Sequence, residues 1–307
     1  MPKTTDETRS GLLRVSLAAV LWGTIPVFAR MAPVDATVKV FWRCGFAAIA
    51  LLAYMAATGR LGELRRLPRR RLAALVVQGA LLTLNWVLFL GAIDRTEVAV
   101  AELLAYTGPV LVAALAPFVT RERFDRRIVL PLALSLGGTA IILLPHAAGF
   151  GRHGLLGPAM AFASAFTYAV LILRSKRLLA GVSNETLMVV EYLTATVLLS
   201  WAVLASPPLA ETRAWGGLLA LGLIDTALAG LIFLSGLRRV RTDHAATLTY
   251  AEPVSAVLFA AAFLGEALTA NALLGGALVL SAGVLVSRLV PSGGIETPEE
   301  LATEDVR

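Results

Sequence analysis

The stretch Tyr250-Ala251-Glu252-Pro253-Val254 lies inside a long apolar run, and 144 residues earlier the chain reads Tyr106-Thr107-Gly108-Pro109-Val110. At the same offset Leu88-Phe89-Leu90-Gly91-Ala92-Ile93 falls over Ile232-Phe233-Leu234-Ser235-Gly236-Leu237, and Glu122 falls over Glu266. Apolar matches between Leu- and Ala-rich segments arise readily by chance. The paired Tyr-x-x-Pro elements and the paired glutamates, at one offset, carry the weight. The chain reads as two copies of one unit.

Composition says what kind of unit. Of 307 residues 57% are apolar and 16% charged, with a mean hydropathy of +0.77. Soluble domains carry about 45–50% apolar and about 25% charged residues. A chain this apolar is neither an ordinary soluble domain nor disordered. At about 20 residues per crossing, ten apolar runs read as membrane helices. They are Leu12–Arg30, Asp35–Ala57, Leu72–Gly91, Glu97–Val119, Ile128–Pro145, Leu155–Leu173, Glu185–Ala205, Ala214–Leu234, Asp243–Phe263 and Ala270–Val290. None shows strand alternation, and lipid-exposed backbone must be hydrogen-bonded within its own segment. The first run lacks a cleavage pattern and reads as a retained span rather than a signal peptide. The expected fold is all-α and integral to the membrane: a tail over 1–11, one five-helix copy over 12–145, a second over 155–290, and an acidic tail over 291–307.

Charge sets the orientation. The net charge of +6 falls between apolar runs, so it speaks for placement in a bilayer rather than for nucleic acid. Of the 27 Lys and Arg, 21 fall on the side that holds both tails, five on the other, and Arg43 lies within the second run. That bias places both termini in the cytoplasm of a plasma (inner) membrane. Because each copy has five spans, the second enters upside down. The loop Thr120–Arg127 carries four arginines and its counterpart Leu264–Thr269 none, as inversion requires. Inverted repeats are an organisation of secondary transporters. A non-transporting scaffold or lipid-interacting protein is the alternative.

Several chemistries are missing from the sequence. One cysteine, Cys44, excludes an internal disulfide. His146, His153 and His244 have no metal-ligand spacing, so no metal or other cofactor is expected. There is no Gly-rich loop ending in Gly-Lys-Ser or Gly-Lys-Thr, hence no ATP-driven motor, and no Gly-x-Ser-x-Gly or His-Glu-x-x-His constellation for an enzyme.

The chain resembles the EamA family of the drug/metabolite transporter superfamily over roughly residues 12–290. The resemblance rests on Ala18-Ala19-Val20-Leu21-Trp22-Gly23-Thr24, on Phe41-Trp42-Arg43, and on the ninth run with its sequel Phe263-Leu264-Gly265-Glu266-Ala267-Leu268-Thr269. The first copy departs from that Gly-Glu-x-x-Thr turn, reading Thr120-Arg121-Glu122-Arg123-Phe124. The resemblance implies a ten-helix carrier with a cavity lined by spans 1, 3, 4, 6, 8 and 9, with spans 5 and 10 as supports. It implies small organic solutes, amino acids, sugars or xenobiotics among them, often moved outward; some relatives export aromatic amino acids. Its partners would be that solute, membrane lipids and coupling protons, as a monomer or homodimer and without nucleic acid.

Ionisable residues inside spans are costly and mark function by default. Glu252 and Asp225 lie near mid-span and suit an ammonium group or a proton, with neutral helix–helix hydrogen bonding as the bland alternative. Arg43 is expected to pair with Glu102, or else to bind a carboxylate; Glu191 suits a helix–helix hydrogen bond. Trp22, Thr24, Asn85, Trp86, Tyr106, Tyr168 and Tyr250 supply polar and aromatic lining, unless they only anchor helices at the interface. Pro109 and Pro253 are expected to kink spans 4 and 9 as hinges. Gly137, Gly138, Gly275, Gly276 and Gly283 are expected to be packing surfaces.

Overall fold

In the computed structural model, the described residues are 5–93, 95–96, 98–120, 122, 124–144, 154–206, 211–265 and 267–289, and they are helical apart from turns. Glu266, His146, His153, Arg121, Arg123, Arg152 and the acidic tail 291–307 lie outside them.

The chain opens with α1 (Thr5–Trp22), whose first turn carries Asp6 and Glu7, favourable against the helix dipole. The turn Gly23–Thr24 separates it from α2 (Ile25–Met31), which Pro26 helps to start. Next come α3 (Ala36–Ala57), the short α4 (Gly62–Arg65) and α5 (Arg69–Ile93). The fourth expected span is two helices, α6 (Val98–Ala105) and α7 (Gly108–Val119), followed by α8 (Val129–Leu143). The second half holds α9 (Leu156–Leu178), α10 (Asn184–Leu198), α11 (Ser200–Leu204) and α12 (Thr212–Ala220). A π-helical segment, Leu221–Leu228, leads into α13 (Ala229–Leu237). The last elements are α14 (Thr242–Leu248), α15 (Ala251–Leu264) and α16 (Ala270–Arg288).

Among the described residues nine helical stretches are long and apolar enough to cross a membrane. The expected run Glu185–Ala205 is not one of them. It is interrupted at Leu199 (φ −100°, ψ 4°), which leaves pieces of 15 and 5 residues, each short of a full crossing.

The two prolines act differently from expectation. Pro109 and Pro253 lie in the first turns of α7 and α15, where backbone N–H groups have no intrahelical partner to lose. They begin new helices after a break rather than kinking continuous ones. The breaks, at Tyr106–Thr107 and Thr249–Tyr250, lie 143 residues apart, one short of the 144-residue offset seen in the sequence. The Gly-Glu-x-x-Thr turn also has a local cause. Gly265 ends α15 in the left-handed region at φ 71°, which only glycine enters freely, and the Thr269 hydroxyl caps α16 by accepting from Ala272 N–H at 3.1 Å.

Small residues decide how closely the helices approach. α8 packs along α16, α5 along α9, and α1 along α13 and α15. A Cβ added to Gly138 would fall 2.5 Å from the Gly275 carbonyl oxygen, and one added to Gly275 would fall 2.3 Å from that of Gly138. These two glycines are therefore packing surfaces, as membrane helices use them. Gly276 would meet only Val254, at 3.3 Å, and Gly283 makes ordinary contact. Gly137 faces open space and is not a packing residue.

At the end that carries the arginine-rich loops, the two halves are tied together. The Glu122 carboxylate accepts from Thr242 N–H at 2.9 Å and from its hydroxyl at 2.8 Å. Arg14 donates to Ser235 at 3.0 Å and Arg239 to Ser10 at 3.0 Å. Within the second half, Lys176 donates to the carbonyls of Leu237 and Val240. Every residue of α14 is buried. The contacts of Glu122, Arg14 and Arg239 join the halves at the basic end.

Candidate functional site

Where α1 stops, Gly23 lets the chain press against α15. A Cβ there would fall 2.1 Å from Ser255 Oγ and 2.7 Å from Ala256 N. Gly222 does the same for the π-helical segment, since its Cβ would fall 2.6 Å from Phe46 Cβ and 3.1 Å from the Arg43 carbonyl oxygen. These close approaches bring four polar residues from separate spans into one region: Thr24, Arg43, Asp225 and Glu252.

The π-helical segment holds Asp225. Its wider turn is marked by the Ala229 N–H donating to Ile224, five residues back, and by the Thr226 hydroxyl donating to Leu221 at 2.7 Å. Such segments occur often at functional sites. Asp225 is 1% exposed. Its Oδ1 lies 2.8 Å from Thr24 Oγ1, and its backbone carbonyl accepts from Trp22 Nε1 at 2.9 Å. Its Oδ2 is buried without a hydrogen-bond partner. The Trp22 ring rests on Phe233 at 5.1 Å.

The expected Arg43–Glu102 ion pair is not formed. Arg43 Nε donates to Thr226 Oγ1 at 2.9 Å, and its guanidinium lies 4.9 Å from the centre of the Trp86 ring. The physical reason is the close approach at Gly222, which holds α3 against the π-helical segment and turns Arg43 toward Thr226. Tyr192 supports the same residue by donating to the Thr226 carbonyl at 3.2 Å.

Glu252 is partly exposed, as is Glu102. Glu252 lies within electrostatic reach of Glu102, Arg43 and Asp225, so these residues share one neighbourhood. Aromatic rings bound it. Tyr106 and Tyr250 stack at 5.9 Å and 30°, and the Tyr250 hydroxyl donates to the Tyr106 carbonyl freed by the helix break. Tyr168 packs on Gly108, whose added Cβ would meet its ring at 2.8 Å, and it too lies near Glu252.

Asn85 stands apart. Its amide donates to the Ser164 carbonyl at 2.6 Å and to Thr167 Oγ1 at 2.9 Å, joining α5 to α9. It is 8% exposed, so its hydrogen bonds serve helix packing in this state. Glu191 is buried beside Gln78, in keeping with a helix–helix contact.

Thr226, Tyr192, Gly222 and Ser255 have no part in the sequence expectations, and Gly23 stands there only within a family motif. The glycines carried a signal, since each interrupts a Leu- and Ala-rich run with a helix-weakening residue. Among the described residues no group of three or more His, Cys, Asp or Glu could hold a metal ion. A cavity of about 630 Å³ lies away from this cluster, at the basic end, where Arg60, Glu63, Arg71 and Glu185 line it. There Arg60 pairs with Glu63 at 2.7 Å and Glu185 at 2.8 Å, and Arg71 donates to the Gly181 carbonyl. None of Thr24, Arg43, Glu102, Asp225 and Glu252 lines this cavity.

Comparison with known proteins gives one consistent result. The model of the EamA-like transporter family matches twice, at residues 9–144 and 155–288. An uncharacterized transporter of Archaeoglobus fulgidus is 31% identical over 282 residues, covering 91% of this chain and 96% of its own. The uncharacterized inner membrane transporter YicL of Salmonella typhimurium is 28% identical, with 91% and 96% covered. The protein RarD of Escherichia coli is 25% identical, with 85% and 88% covered. A solved crystal structure superimposes with a TM-score of 0.81 at 22% identity, covering 92% of this chain and 98% of its own, which shows the fold.

Proposed function

Because the chain belongs to the EamA-like transporter family, we propose that it is a secondary carrier exporting a small amphipathic organic solute, an aromatic amino acid in the sharpest form of the proposal. Family membership makes it a transporter of small molecules across a membrane, not an enzyme.

The observation that carries the finer reading is the mid-span cluster of Glu252, Glu102, Arg43 and Asp225 beside Tyr106, Tyr168 and Trp86. Carboxylates of Glu252 and Glu102 suit a solute ammonium, Arg43 suits a solute carboxylate, and the rings offer a flat, mainly apolar wall. The reading counts α10 with α11 as a tenth span, takes the ten spans as two inverted five-helix copies, and puts the basic end with both termini in the cytoplasm. The reading takes the contacts between the halves at the basic end as the closed side, so the arrangement corresponds to an outward-facing state. Alternating access follows from parting the Glu122–Thr242 contact while the opposite end closes, with the breaks before Pro109 and Pro253 as hinges. Protons are the proposed counter-ion.

The test is uptake and counterflow in proteoliposomes with a panel of amino acids and amines, with and without a pH gradient. The proposal expects at least one aromatic amino acid to move and Glu252→Gln to slow it. Movement of no solute in the panel refutes the substrate class. Movement unaffected by Glu252→Gln refutes the assigned site.

A further inference from the structure

The proton count around Thr24 is short by one. Its single hydroxyl proton must serve two neighbours, the Leu21 carbonyl oxygen at 2.7 Å and Asp225 Oδ1 at 2.8 Å. The Leu21 carbonyl already accepts from Thr24 N–H at 2.9 Å. If Asp225 were ionised, both side-chain neighbours would be acceptors. One would face a lone pair, and Oδ2 would be a buried anionic oxygen with no donor. Ionised groups pay far more for unmatched burial than neutral ones. A protonated carboxyl resolves each contact: Oδ1–H donates to Thr24 Oγ1, Thr24 donates to Leu21, and Oδ2 becomes a neutral carbonyl oxygen.

We infer that Asp225 is the proton-carrying site of the transport cycle, and that in this arrangement the Thr24–Leu21 hydrogen-bond chain holds it in its protonated form. The inference rests on the carrier reading and deepens it, because it separates two roles. Glu252 and Glu102 face the solute, and Asp225 carries the exchanged proton. Two distortions build the site: the break that leaves Thr24 at the end of α1, and the π-helical segment that presents Asp225. The charges facing Asp225 are Arg43 from α3 and Glu252 from α15; α1 and α13 contribute Trp22 and Phe233, which are uncharged. Arg43 is committed to Thr226 and Trp86, so it makes no ion pair with Asp225. Release of the proton requires the α1 end to part from the π-helical segment so that water reaches the carboxylate. The step is a plain proton transfer: Asp225 takes one proton from water on one side and returns it to water on the other. A sodium ion fits less well, since Thr24 Oγ1 sits at hydrogen-bonding distance and few other free oxygens converge there.

Infrared spectroscopy of the purified full-length protein tests the loaded state without any solute, so it stands or falls apart from the carrier reading. At neutral pH the wild type should show a protonated-carboxyl band that Asp225→Asn lacks. Thr24→Val should shift that band and Thr24→Ser restore it. A band absent at neutral pH overturns the inference, and so does one removed by sodium at constant pH. In proteoliposomes, a gradient of about one pH unit should drive about tenfold solute accumulation per proton exchanged, and Asp225→Asn should abolish it. Solute transport blind to the gradient overturns the proton-carrying role while leaving the carrier reading intact; a band with no transport of any solute leaves the protonated carboxyl standing and overturns the carrier reading together with the role that rests on it.

Discussion

Gly23→Ala puts one methyl group where spans 1 and 9 meet. Ordinary contact begins at about 3.4 Å, and the new Cβ would fall 2.1 Å from Ser255 Oγ and 2.7 Å from Ala256 N. Ser255 Oγ can rotate away at the cost of its bond to the Glu252 carbonyl, now 2.9 Å. Ala256 N is backbone and cannot rotate, so α1 and α15 must separate by about 0.7 Å, the shortfall from contact distance. Overpacking of this kind costs about 1–3 kcal/mol. At about 2 °C per kcal/mol for a large domain, the midpoint of thermal unfolding in detergent should fall by about 2–6 °C. Ser255→Ala in the same background should recover only part of the loss, because the backbone contact remains. The separation also pulls Thr24 from Asp225, so the protonated-carboxyl band should weaken in step. An unchanged midpoint and an unchanged band would refute the claim that Gly23 sets the geometry of the site.

Other substitutions probe separate parts of the fold. Gly138→Leu should prise α8 from α16 and cost at least about 1–3 kcal/mol in thermal stability, whereas Gly137→Leu, with open space around it, should be close to neutral. Arg43→Lys keeps the charge but loses the flat guanidinium over Trp86; a cation–π contact is worth about 0.5–2 kcal/mol, and an unchanged unfolding midpoint would mean that contact contributes nothing. At the basic end, hydrogen bonds from Arg60 and then Ser183 hold the Glu63 carboxyl below the usual carboxylate range. A depressed folded-state value adds stability above the unfolded value near pH 4.3, and that stability is lost as pH falls through the lower folded value. Glu63→Gln should flatten this acid limb of the midpoint-against-pH curve. Because Glu63 is 37% exposed, the loss at neutral pH should stay within about 1 kcal/mol.

Hydropathy located nearly every helix because a crossing needs a fixed length of apolar chain, and that length is visible in one dimension. Side-chain direction is not. Lipid is as apolar as Leu, so a Leu- and Ala-rich helix carries little pattern to say which face turns inward. That is why Asn85 reads as a cavity residue yet bonds to α9, and why Arg43 reads as a partner of Glu102 yet bonds Thr226. Pro109 and Pro253 were visible as backbone disruptions, but a proline that starts a helix and one that bends it look alike without knowing where the preceding helix stops. The π-helical segment leaves no comparable mark, since it changes the register of bonds and not the residue types. Glu252, Asp225, Tyr106 and Tyr168 were legible because polar groups stand out in apolar runs, and their common neighbourhood follows from helices that meet at glycines.

The central claim, that the carboxyl cluster opens in turn to the two sides, is most directly tested by accessibility at position 252. Glu252→Cys in a Cys44→Ala background would be labelled with a membrane-impermeant thiol reagent in right-side-out and inside-out vesicles. Labelling should occur from both sides, and more slowly from the basic side, where Glu122 and Thr242 join the halves. Glu122→Gln, which weakens the contact with Thr242, should speed labelling from the basic side alone. Labelling from neither side, or an equal effect of Glu122→Gln on both, would contradict the claim.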